Sequence, residues 1–178
     1  MSRISMIKAD EATGVTAEVF GNIKKAVGKV PNAYATVGTH NIAALQILLQ
    51  ADGVINKGTL SKQDQETIKL AVSEAVGCDY CVAAHTLVGK MVGLAPEAMK
   101  QIRAGEATGD AKRDALVHFV RVLVKSQGTV SQTEYDAIVA AGYTEAQLVD
   151  ISLSIAMITF TNVINRINDT TIDFPAVQ

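Results

Sequence analysis

The sequence predicts an all-α protein, a single domain of about eight to nine helices. Three observations carry that expectation. Ala, Val, Ile and Leu recur at three- and four-residue spacings along most of the chain, the period of a helix with one buried face. Alternating apolar and polar runs, the mark of half-buried strands, are nearly absent. Only three prolines, Pro31, Pro96 and Pro175, interrupt the pattern. With 178 residues the chain suffices for one sizeable core, and no Pro- or Ser-rich linker divides it.

The elements follow in order. A first helix is expected near 16–27, a short one after Pro31, and a third from about 41 to 56. Ser61 followed by Asp64 has the spacing at which two side chains satisfy each other's orphan N–H groups, so a fourth helix is placed at about 61–76, ended by Gly77. A fifth runs over about 79–92. Pro96 fits a first helical position, where its missing donor is harmless, and opens a sixth to about 104. The seventh, about 111–127, stops at Gly128; Ser131 with Glu134 opens an eighth to about 141, stopped by Gly142. Thr144 with Gln147 caps the longest, from 145 to about 168. The short loops predict that chain neighbours pack as hairpins.

Composition bounds the function. Hydrophobic residues make up 48% and charged residues 19%, with a mean hydropathy of +0.21, which leaves little solvating surface for a monomer and points to a homo-oligomer. Sixteen basic residues against eighteen acidic ones give a formal charge of −2 with no basic run, which argues against nucleic acid as a partner. The start, MSRISMIKADEATG, lacks the apolar region of a secretory signal. The most apolar stretch, Ile151 to Val163, is broken by Ser and Thr and is too short for a bilayer. The expectation is a cytoplasmic protein without a membrane partner. In that reducing setting a close cysteine pair is catalytic or metal-binding more often than a permanent cross-link.

Both cysteines lie in GCDYCVAAHTLVG, residues 77–89, with one of the three histidines. At about 100° per residue Cys78, Cys81 and His85 fall within an arc of roughly 60° on one helix face. Residues three apart on a helix have Cα atoms about 5 to 5.5 Å apart, inside the roughly 4.4 to 6.8 Å that a disulfide spans, so the pair can cycle between dithiol and disulfide. Gly77 ends the preceding helix and puts both thiols at the start of the next, where unpaired N–H groups and the macrodipole favour a thiolate. His85, one turn beyond Cys81, can take its proton. Cys81 is therefore the candidate nucleophile and Cys78 the resolving thiol, capturing a sulfenic acid one turn away. The histidine needs an orienting carboxylate. Glu66, in an apolar stretch with Ile68, Leu70, Ala71 and Val72, and Glu74, closer in sequence, both qualify, and spacing does not choose between them.

The combination of Glu66, Cys78-Asp79-Tyr80-Cys81 and His85 resembles the signature of the alkylhydroperoxidase D (AhpD)-like / carboxymuconolactone decarboxylase superfamily, peroxidase-related branch: a Glu twelve residues before CxxC and a His four after it. The run AGYTEAQLVDISLSIAMITFTNVINRINDTTID is similar to the C-terminal helix of such members, and KVPNAYATVGTH to their N-terminal segment. The resemblance implies an all-helical AhpD-like fold, a trimer or a hexamer of paired units, and thiol-dependent peroxidase activity. Cys81 would attack the hydroperoxide, Cys78 would resolve, and His85 with Glu66 would form the proton relay. A dithiol or protein reductant would complete the cycle; no cofactor or metal is called for. Tyr80 stands where the best-known peroxidase members have a second histidine, and a phenol does not titrate near neutrality. The decarboxylase branch lacks the cysteine pair.

Other readings were weighed beside this one. Cys78, Cys81, His85 and Glu66 could supply four zinc ligands, though structural zinc sites usually bring a second Cys or His pair from elsewhere. A lyase or hydrolase using only His85 and Glu66 would survive removal of both thiols. His118, in ALVHFVRVLV, reads as a core or interface residue, and His40 as a loop or cap residue. Phe160 is a candidate wall of a peroxide pocket, within a stretch read as core and subunit interface. Asn162, Asn165 and Asn168 are expected to line a polar face or to bond across subunits, without a catalytic role.

Overall fold

The computed structural model describes residues 2–177 and contains, among them, nine α-helices and no strand. These are α1 (Gly14–Val27), α2 (Asn32–His40), α3 (Ile42–Lys57), α4 (Lys62–Ala75), α5 (Asp79–Met91), α6 (Pro96–Ala104), α7 (Ala111–Ser126), α8 (Gln132–Ala140) and α9 (Glu145–Asn168). The predicted helices are all present, with ends within two residues of expectation. Ser131–Glu134 and Thr144–Gln147 form full capping boxes. Ser61–Asp64 does not. Ser61 accepts from the Asp64 N–H, but the Asp64 carboxylate takes the Ser61 hydroxyl at 2.7 Å and the Tyr143 hydroxyl at 3.0 Å.

Packing departs from simple hairpins. Helix α4 is the hub, lying against α5, α6, α7 and α9, with Ile68, Leu70, Ala71 and Val72 almost wholly buried. That position explains its burial: the middle of the helix is enclosed on several sides, Gln65, Thr67 and Ser73 included, and its one interior carboxylate, Glu66, is held in the core. The larger apolar cluster contains both cysteines and joins α4 to α7 and α9; a smaller one gathers Phe20, Val37, Leu45 and Leu48 from α1, α2 and α3. Gly77 (φ 68°) makes the left-handed turn that sets α5 back along α4. Gly89 lets α5 close on its neighbours, since a Cβ there would sit 2.8 Å from the Met99 sulfur.

Helix α9 has two opposite faces. Ile151, Ser154, Ile158, Asn162, Asn165 and Asn168 are buried. About half a turn away, Val149, Phe160, Val163 and Ile167 are 40–69% exposed. By length and composition α9 is apolar enough to cross a membrane. Its inner asparagines, however, are hydrogen-bonded to α2, α4 and α5, which ties it into the fold.

Candidate active site

Glu66 and His85 are brought together, and Glu74 is not part of the pair. His85 Nδ1 lies 2.8 Å from Glu66 Oε2, and the Lys69 ammonium donates to Glu66 Oε1 at 3.0 Å. Glu74 turns away to Arg103, 2.6 Å from its Nε. Burial pushes the Glu66 carboxyl up, but the charges and hydrogen bonds of His85 and Lys69 outweigh it and hold the group down at about 2. A carboxylate fixed on Nδ1 leaves Nε2 as the nitrogen for proton exchange.

Two further elements crowd this pair. From α3, Asp52 is half-buried and its carboxyl is raised, mainly by burial, against the lowering influence of Lys69 and His85. From α2, the Tyr34 hydroxyl donates to Asp52 Oδ2 at 3.4 Å, and burial together with that carboxylate pushes the phenol up. Neither Lys69, Asp52 nor Tyr34 was anticipated. The available signal was Asp52 itself, a single acid in the otherwise uncharged run LQILLQADGVI.

Both thiols are free and buried, Cys78 as the N-cap of α5 and Cys81 in its first turn. The Asn165 amide donates to Cys81 Sγ at 3.3 Å. The two sulfurs titrate as a unit. The Cys81 S–H hydrogen-bonds to Cys78 and lowers it, and burial opposes this only in part. The same hydrogen bond, then burial and the neighbouring charge, raise Cys81. Their contact favours a single negative charge on the pair, with Cys78 pushed down and Cys81 pushed up.

Tyr80 is a tether, not a relay member. Its hydroxyl accepts from the Ala33 N–H at 3.1 Å and donates to Asp173 Oδ1 at 2.8 Å, and its ring meets Phe174 edge-on at 5.4 Å. A cavity of about 480 Å³ opens against the start of α5, lined by Cys78, Asp79, Tyr80, Asn165, Arg166 and residues 169–172.

Other expectations are corrected. Asn162, Asn165 and Asn168 do not form a polar surface or bond across subunits. All three are buried and bonded within the chain: Asn162 to Ser73 Oγ at 3.1 Å, Asn165 to Cys81, and Asn168 to Thr36 and Thr170. Phe160 points from the opposite face of α9 and cannot wall the thiols, since five residues from Asn165 is about 140° around a helix. His118 is exposed, lining a cavity of about 310 Å³ that shares no residue with the thiol site. His40, as expected, is a helix-end residue, closing α2 with its Nε2 2.8 Å from the Ser5 carbonyl. Among the described residues no three His, Cys, Asp or Glu side chains are grouped to hold a metal ion, so the four-ligand arrangement is not assembled.

Residues 43–124, from α3 into α7, match the carboxymuconolactone decarboxylase family, and the matched segment holds Glu66, Cys78, Cys81 and His85. The chain has the fold of the AhpD core of a peroxidase-related protein from Ralstonia eutropha JMP134, with a TM-score of 0.86 at 22% identity over 97% of this chain and 92% of that one. The chain thus has the AhpD-like fold, and its segment 43–124 matches the carboxymuconolactone decarboxylase family. A peroxidase-related protein from Silicibacter sp. TM1040 shares the AhpD-like fold at a TM-score of 0.83 and 19% identity, over 96% and 91% of the two chains. So does the debrominase Bmp8, seen as a cysteine-to-alanine variant with 2,3,4-tribromopyrrole, at 0.81 and 17%, over 97% and 92%. A comparison with curated proteins gives no match. Helix α9, with its asparagines, lies outside the family match.

Proposed function

We propose that this AhpD-like protein is a thiol-dependent peroxidase, reducing hydroperoxides through a dithiol–disulfide cycle of Cys81 and Cys78. His85, oriented by Glu66, takes the Cys81 proton. The sulfur attacks the hydroperoxide: an S–O bond forms, the O–O bond breaks, and the departing alkoxide leaves as the alcohol with the proton returned by His85. Cys81 is left as a sulfenic acid. The Cys78 thiolate then attacks that sulfur, an S–S bond forms, the S–O bond breaks, and hydroxide leaves as water after taking a proton. A dithiol or protein reductant supplies two electrons and two protons to reopen the disulfide. The cycle needs no cofactor and suits the cytoplasm, where such reductants are maintained.

The observation that carries this reading is the juxtaposition, at the start of α5, of two free buried thiols with a Glu66–His85 pair one turn further on. The test is consumption of an organic hydroperoxide with dithiothreitol as reductant. Cys81→Ser is expected to reduce turnover to background. A lyase or hydrolase that uses only His85 and Glu66 would keep its activity when both cysteines are replaced by serine, and a double variant as active as the parent would overturn the redox reading.

A further inference from the structure

The asparagines of α9 form one directional chain that ends on sulfur. The Ile4 N–H donates to Asn168 Oδ1 at 2.6 Å. Asn168 Nδ2 donates to Thr170 Oγ1 at 3.0 Å, and the Thr170 hydroxyl donates in turn to Asn165 Oδ1 at 2.8 Å. Asn165 Nδ2 then donates to Cys81 Sγ. Every donor points the same way. Because Thr170 spends its proton on Oδ1, the Asn165 amide is fixed with its N–H toward the sulfur, and each link polarises the next. Asn162 lies one turn before, also on the buried face. It is anchored by Ser73, and its Oδ1 is buried without a partner. Burying amides on the inner face of an apolar helix costs stability unless they are bonded, so their placement calls for a reason other than packing.

We propose that Asn165 is an anion-stabilising amide donor for Cys81, and that Thr170 and Asn168 are positioning residues that keep the Asn165 donor aimed at that sulfur. This deepens the peroxidase reading, on which it rests for the fate of the thiolate, while the charge stabilisation itself is measurable without any peroxide. The experiment is the pH–rate profile for alkylation by iodoacetamide of Cys81 alone, in Cys78→Ser protein. Asn165→Leu is expected to slow alkylation about tenfold at neutral pH and to move the profile alkaline, the loss of one hydrogen bond to a charged group. Thr170→Val, which touches no sulfur, is expected to slow it about threefold, and Thr170→Ser to restore the parent profile. A profile unmoved by Asn165→Leu overturns the amide role. Equal profiles for Thr170→Val and Thr170→Ser overturn the positioning role. If Asn165→Leu fails to fold, the threonine pair still decides, because Val and Ser both fit the site and differ in the hydroxyl.

Discussion

The two sides of the thiol pair are built from different materials. On one side, α4 and α5 supply charge: Glu66, Lys69 and His85, linked at 2.8 and 3.0 Å, with Asp52 and Tyr34 behind them. On the other side the buried face of α9 supplies neutral amides, of which Asn165 reaches Cys81. The charged side can move a proton, because it holds groups that titrate. The amide side can stabilise negative charge without competing for protons. A reactive thiol needs both.

Breaking the charged side should have the larger effect. His85→Ala removes the base proposed to take the Cys81 proton, and kcat/KM for hydroperoxide is expected to fall about 100-fold or more. The loss should shrink as pH rises and hydroxide replaces the base; steady-state rates across pH check this. Glu66→Gln, which keeps the shape but loses the charge holding Nδ1, should cost about tenfold. Because the two sides act independently, Glu66→Gln combined with Asn165→Leu should multiply the single losses, and a double-mutant cycle measures any departure.

The charged side also leaves a mark on stability. The folded-state value for Glu66, about 2, lies below its ordinary 4.5, so its contribution is full above pH ~4.5 and is lost as pH falls toward 2. The span corresponds to about 3 kcal/mol. Glu66→Gln should flatten this acid limb in urea titrations between pH 5 and 3 (~1 kcal/mol of slope is enough to resolve). The smallest effect is expected at Tyr80→Phe. It cuts the Ala33 and Asp173 hydrogen bonds and should lower stability by about 1 kcal/mol, yet leave the Cys81 alkylation profile unmoved. A shifted profile would bring Tyr80 back into the relay.

This same division explains what was legible in the sequence. Cys78, Cys81 and His85 lie within about two turns at the start of one helix, so helical geometry alone assembles them. Glu66 came from the family resemblance, since nothing in local spacing separates it from Glu74; only the packing of α4 against α5 does so. The amide side was hidden for a physical reason. Asn162, Asn165 and Asn168 recur every third residue, which on an isolated helix reads as a polar stripe facing water. Only the tertiary placement of α9 against α4 and α5 turns that stripe inward. Likewise Asp52 and Tyr34 reach the site from α3 and α2, far away in sequence. The fold itself was nearly all readable because caps and glycine stops are local; the central role of α4 was not, because which helix becomes the hub is decided by the sum of long-range contacts.

The most direct test of the account is the thiol content of the reduced protein before and after one equivalent of an organic hydroperoxide, together with the mass of the peptide holding residues 78–81. The account predicts loss of two thiols and a peptide lighter by two hydrogens, reversed by dithiothreitol. Consumption of the hydroperoxide with both thiols intact, or with Cys78 left free beside an over-oxidised Cys81, would contradict it.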